Sequence, residues 1–200
     1  MTDTVITHPD NNEPTAFTQS NLDWLPWLEP QAAADFTERQ REALVDAARI
    51  NSAYFRLLAR DPDILEARTK TDKDIFYNVA DGLPRAEREL AAAATSRVNG
   101  CIYCASVHSR FATTYSKRGE DVQRLLDDGV AVRLDPRWDA VVAAATALTA
   151  TPSTFGNTHI AALRKVGLDD AEIVDVINAA AFFNWANRLM LSLGEPAART

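Results

Sequence analysis

The chain has 200 residues and a mass of 22.0 kDa, the size of one domain, and 46% of its residues are hydrophobic, enough for one sizeable core. A formal net charge of −7, with no run among its 21 Lys and Arg residues, excludes a nucleic-acid binder, which needs clustered cations to meet phosphates. The chain holds no stretch of about 18 apolar residues and its start, MTDTVITHPDNNEP, lacks the basic and apolar regions of a secretory signal, so a membrane span is not expected and the cytoplasm is.

Residues 1–20 are polar, carry two prolines and show no apolar period, which reads as a flexible N-terminal arm, mobile or peripherally docked. The domain proper is expected over 21–200. It begins with LDWLPWLEP, where Pro26 and Pro30 forbid a long helix and the tryptophans need a surface to cover them. Helix is expected from Thr37, which forms a capping box with Gln40 and puts Leu44, Val45 and Ala48 on one face. A second helix runs through Tyr54 to Leu58, and Asp61-Pro62 opens a third that Gly82 ends.

PRAERELAAAATSRV is rich in strong helix formers and stops at Asn99-Gly100; CIYCASVHSRFATTYSKR continues as helix to about Arg118. A short helix follows in EDVQRLLDD. Asp135-Pro136 caps the next, and Thr151 to Gly156 is a loop. His159 opens another helix in a capping role, and Asp169 or Asp170 caps a long final helix running towards Gly194. No segment alternates with period two, so the fold class is all-α, a single helical bundle.

The chemistry concentrates in Glu89 to His108, which holds both cysteines of the chain. Cys101 follows a helix-breaking Asn-Gly pair and so stands at a helix N-terminus, where unpaired N–H groups stabilise a thiolate. At about 100° per residue, Cys101, Cys104 and His108 fall within about 60° of one another on a helix, with Tyr103 on the other side. His108 is four residues beyond Cys104, in register to act as its base. Glu89, on the preceding helix, reaches back to the site if the two helices form an antiparallel hairpin. Two thiols at this spacing support a cycle in which a sulfenic acid on one condenses with the other. Zinc is not expected, because no second ligand cluster accompanies the pair, and no nucleotide or haem motif is visible, so no cofactor is expected either. Phe182, Phe183, Asn184, Trp185, Asn187 and Arg188 read mostly as core or subunit contact by their period, with walling the pocket as the alternative.

The spacing E-x11-C-x2-C-x3-H resembles the signature of the alkyl hydroperoxidase D-like (AhpD-like) group of the carboxymuconolactone decarboxylase superfamily. LPRAERELAAAATSRVNGCIYCASVH and AFFNWANRLMLSLGEP resemble its peroxidase-related branch. The resemblance implies a helical homo-oligomer that reduces a hydroperoxide with electrons from a thiol or dithiol reductant. Cys104 is then the attacking cysteine, Cys101 the resolving one, and Glu89 with His108 the proton relay. One position departs: well-known members carry a histidine just before the second cysteine, where this chain has Tyr103, and a phenol with a pKa near 10 does not shuttle protons at neutrality. A thiol-disulfide oxidoreductase and a redox-sensing oligomer are the alternatives that use the same residues.

Overall fold

In the computed structural model, which describes residues 5–78 and 80–199, the chain runs in order through β1 (Leu22–Pro26), α1 (Glu38–Ala43), α2 (Ala53–Leu58), α3 (Pro62–Tyr77), α4 (Arg85–Asn99), α5 (Ile102–Ser116), α6 (Gly119–Asp128), α7 (Pro136–Thr149), α8 (Asn157–Lys165), α9 (Asp170–Leu191) and β2 (Gly194–Ala198). It is one all-α domain with a small two-stranded sheet.

Local chemistry sets the helix starts. Thr37 and Gln40 form a reciprocal capping box at α1, and Asp169 with Glu172 does the same at α9. Asp61 and Asp135 accept hydrogen bonds from the first-turn N–H groups of α3 and α7, each followed by a proline whose missing N–H has no partner to lose. At α8, His159 Nδ1 accepts from the Gly156 N–H and the ring stacks on Phe155.

The centre of the bundle is α4. Leu90 through Ala94 are fully buried, and α5, α7 and α9 all pack on them. The run of alanines lets those neighbours approach closely from several sides. Gly100 ends α4 with a φ of 77°, the left-handed conformation that glycine adopts without strain, and α5 returns antiparallel against α4. A second, smaller cluster of Phe36, Ala43, Leu44, Ala59 and Leu65 lies under the N-terminal helices, and Phe55 and Leu58 bridge the two cores.

Three expectations change. The apolar face drawn through Leu44, Val45 and Ala48 does not exist as one helix: α1 stops at Ala43, Val45 has a φ of 62°, and a 3-10 turn takes over at Ala47–Asn51. Leu44 is buried while Val45 is exposed. The Trp24 segment and the chain's last residues form an antiparallel ribbon, with Leu22 opposite Ala198 and Pro26 opposite Gly194. Each strand contains a proline and has its partner at the other end of the chain, so no local alternation marks it. Any side chain at Gly194 would collide with the Leu25 carbonyl and the Trp24 indole, and glycine is what lets the ribbon close. Finally, α3 ends at Tyr77, before Gly82.

Of the N-terminal arm, residues 1–4 lie outside the described residues; residues 5–20 are docked. Ile6 N–H donates to the Trp27 carbonyl, Asn11 Nδ2 to Glu195 and the Pro196 carbonyl, and the Phe17 ring sits 4.2 Å from the Arg97 guanidinium. Trp24 packs edge-on to Tyr54, and Trp27 Nε1 donates to Glu195. No helix among the described residues is long and apolar enough to cross a membrane.

Candidate active site

The α4–α5 hairpin faces Glu89 towards His108. Glu89 is 1% exposed, and a carboxylate so placed must be compensated. His108 Nδ1 donates to its Oε2 at 2.6 Å, and Arg85 Nε donates to its Oε1 at 3.0 Å. The Arg85 guanidinium is itself held in an aromatic basket, 4.2 Å from the Tyr77 ring and 4.3 Å from the Tyr115 ring, with Nη1 donating to the Tyr115 hydroxyl. Phe183 packs on the imidazole at 3.9 Å between ring centres. With Nδ1 committed to the carboxylate, neutral His108 presents Nε2 as its basic nitrogen. Among the described residues no hydrogen bond joins His108 to either sulfur. The i+4 register places His108 on the face of Cys104 as the spacing predicts, but its ring turns to the carboxylate of α4.

The cysteines are unoxidised and buried. Cys101 is the N-cap residue of α5 and its N–H donates to the Ser96 carbonyl at 3.0 Å. The thiols answer chiefly to each other. A hydrogen bond from Cys104 pulls the Cys101 pKa below the ordinary thiol value against the opposing effect of burial. The same bond, with burial and the charge on Cys101, pushes Cys104 well above it. The pair therefore ionises as a unit, the first charge resting on Cys101 and the remaining proton on Cys104.

Asn187 was grouped with the core of α9 by its periodicity, and it does more. It is fully buried; its Nδ2 donates to Ser96 Oγ at 3.0 Å and its Oδ1 accepts from Asn99 Nδ2 at 3.1 Å. Asn99 also donates to Asn184 Oδ1, and Ser96 Oγ donates to the Ala92 carbonyl. Held in this way, the amide lowers both thiol pKa values. An asparagine on an otherwise apolar helix face is the sequence signal for it, because a buried amide must find partners.

A cavity of about 190 Å³ opens on this cluster. Cys104, His108 and Glu89 line it, with Phe76, Phe183 and Met190 supplying apolar wall, while Cys101 is not part of the lining. Tyr103 also lines the cavity, which corrects its placement on the far side of the helix. It stands one residue before Cys104 and leans towards Tyr54 on α2, and burial raises its phenol pKa further above the neutral range. Among the described residues no group of three or more His, Cys, Asp or Glu side chains converges as a metal-ligand set.

Residues 62–147 match the model of the carboxymuconolactone decarboxylase family. No curated protein matches the sequence. Among solved structures, the AhpD core of an uncharacterized peroxidase-related protein from Ralstonia eutropha JMP134 superposes with a TM-score of 0.68 at 22% identity, covering 94% of this chain and 92% of that one. A peroxidase-related protein from Silicibacter sp. TM1040 gives 0.67 at 21% identity over 96% of both chains. The debrominase Bmp8 gives 0.66 at 17% identity over 82% of this chain and 87% of that one. These likenesses establish a shared fold over nearly the whole length, and that fold is seen with more than one chemistry. The family match runs from the start of α3 through most of α7, across the Cys101–Cys104 hairpin.

Proposed function

We propose that the protein is a thiol-dependent hydroperoxide reductase that works through a Cys101–Cys104 dithiol and disulfide cycle. The observation that carries this reading is the make-up of the site: Cys104 borders the cavity, Cys101 is buried outside its lining three residues earlier on the same turn, and the Glu89–His108 pair borders the same chamber. Its fold neighbours include peroxidase-related proteins.

The steps balance as follows. The dithiol enters with one proton shared between its sulfurs, and transfer of that proton to Cys101 makes Cys104 the nucleophile. Its sulfur attacks the terminal oxygen of the hydroperoxide, the O–O bond breaks, and the electron pair leaves with the alkoxide. The alkoxide takes up the proton that Cys101 gives back, with His108 Nε2 as the carrier along the cavity wall and Glu89 holding the ring in its tautomer. Cys101, now a thiolate, attacks the sulfenic sulfur of Cys104; hydroxide departs and takes a proton from solvent to become water. Two electrons have left the sulfurs, and one hydroperoxide has become one alcohol and one water. An external thiol or dithiol then returns two electrons and two protons, one of which passes to solvent as the pair regains its single shared proton. The reading carries with it a homo-oligomeric assembly and a cytoplasmic setting, where such reductants are at hand.

Burial of both sulfurs disfavours a protein disulfide as the oxidant, since it reaches Cys104 only through the cavity, and leaves a small disulfide as the competing substrate. The test is single-turnover disulfide formation with tert-butyl hydroperoxide, followed by mass spectrometry. Wild type should form one intramolecular disulfide and Cys101→Ser should stop at sulfenic acid on Cys104. Full multiple turnover by Cys104→Ser would sink the proposal.

A further inference from the structure

The cavity carries a positive group that the thiol chemistry leaves unused. Arg68, on α3, has a side chain only 8% exposed and borders the chamber beside Tyr54 and Phe55. Its Nε and Nη1 are buried and make no hydrogen bond among the described residues. The guanidinium lies 5.4 Å from the centres of two rings, Phe55 and Phe182. The carboxylate beside it is Asp72, with Oδ2 at 3.4 Å from Nη1, and that same oxygen lies 3.5 Å from Nη2 of Arg49. Two guanidinium groups therefore share one carboxylate. Arg85, also on the cavity wall, is matched by Glu89. Arg49 stands outside the lining, so Arg68 and Arg85 face Asp72 and Glu89 within the chamber, but Asp72 is divided between Arg68 and Arg49 and leaves the buried Nε and Nη1 of Arg68 without a hydrogen bond, an arrangement that burial makes costly and that an incoming anion would relieve.

Resting on the reading of Cys104 as a peroxide-reducing thiol, we propose that Arg68 recognises an anionic group on the substrate, so that the substrate class is a small apolar acid, an aryl or short alkyl hydroperoxide bearing a carboxylate. The carboxylate meets the Arg68 guanidinium and the apolar body lies against Phe76, Phe183 and Met190. An apolar cavity of roughly 150 Å³ holds a benzene ring, and this one has about 190 Å³, room for a ring or a short chain with one substituent. Arg68 is also near the reacting sulfur. The Cys104 pKa, raised chiefly by Cys101 and by burial, is drawn down in part by the Arg68 charge.

The test is calorimetric titration of the reduced full-length protein with benzoate and with its neutral isostere benzamide. Benzoate should bind roughly ten- to a hundredfold more tightly, the value of a charge-assisted hydrogen bond. Arg68→Gln, checked for an intact thermal transition, should bring the two ligands to parity. Asp72→Asn removes the competing carboxylate and should tighten benzoate without tightening benzamide, which keeps the proposal open to refutation if Arg68→Gln does not fold. Equal binding of the two ligands by wild type, no binding of either, a folded Arg68→Gln that keeps the preference, or an Asp72→Asn that does not tighten benzoate would each overturn it. No peroxide enters this measurement, so the two readings fail separately. A protein that prefers benzoate through Arg68 but leaves peroxide unreduced overturns the catalytic reading alone; one that reduces tert-butyl hydroperoxide and shows no preference overturns only the anion site.

Discussion

Between Cys101 and Cys104 one proton serves two sulfurs, and the consequences are measurable at single residues. The first ionisation of the pair should fall below the ordinary thiol value and the second above it, as read from thiolate ultraviolet absorbance against pH. Cys104→Ala removes the donor that is the largest cause of the lowered Cys101 value while burial remains, so the Cys101 titration should move up. The sign for stability follows. Between the lowered folded value of Cys101 and the ordinary thiol value, the unfolded chain holds more protons than the folded one, and stability rises with pH. Above the ordinary value the folded state keeps the Cys104 proton that the unfolded chain has lost, and stability falls. Urea unfolding of the reduced protein across that range should show a maximum that Cys104→Ala abolishes. Asn187→Ala should cost roughly 1–3 kcal/mol by stranding buried partners and should raise both thiol ionisations together, a joint shift that loss of packing alone does not produce.

At the scale of elements, the hairpin depends on its corner. Gly100 has a positive φ with no atom within 4 Å of where a Cβ would stand, so Gly100→Ala meets no clash and its cost is the backbone strain alone, roughly 1–2 kcal/mol. Thermal unfolding should register that loss while the thiol titration stays close to wild type. Much of this level was legible in the sequence because caps and breakers act locally: Thr37 with Gln40, Asp61-Pro62, Asn99-Gly100 and Asp135-Pro136 each mark a boundary that forms where they stand. The same hairpin brings Glu89 to His108, a contact that needs only the spacing and an antiparallel return. What stayed hidden depends on distant partners. Helical register fixes the face on which His108 lies and says nothing of the rotamer that turns its ring to Glu89. Tyr103 lines the cavity because α2 stands beside it. The ribbon of β1 and β2 joins segments from the two ends of the chain, and Arg68 has to share its carboxylate only once Arg49 is packed against Asp72.

For the whole molecule, the burial of α4 sets what the redox cycle can disturb. Leu90 to Ala94 are enclosed by α5, α7 and α9, whereas the thiols sit at the far end of the hairpin, beside a cavity that already opens outward. The amide protons of this segment have no local route to solvent and should exchange with deuterium only when the entire domain opens. Their protection therefore reports global stability in both oxidation states, while the amides around Cys101 report the local rearrangement that disulfide closure brings. Exchange followed by mass spectrometry on reduced and oxidised protein should show the Leu90–Ala94 rates moving only as far as the unfolding free energy moves. Fast exchange there in a protein that remains folded would mean that the central helix opens during the cycle.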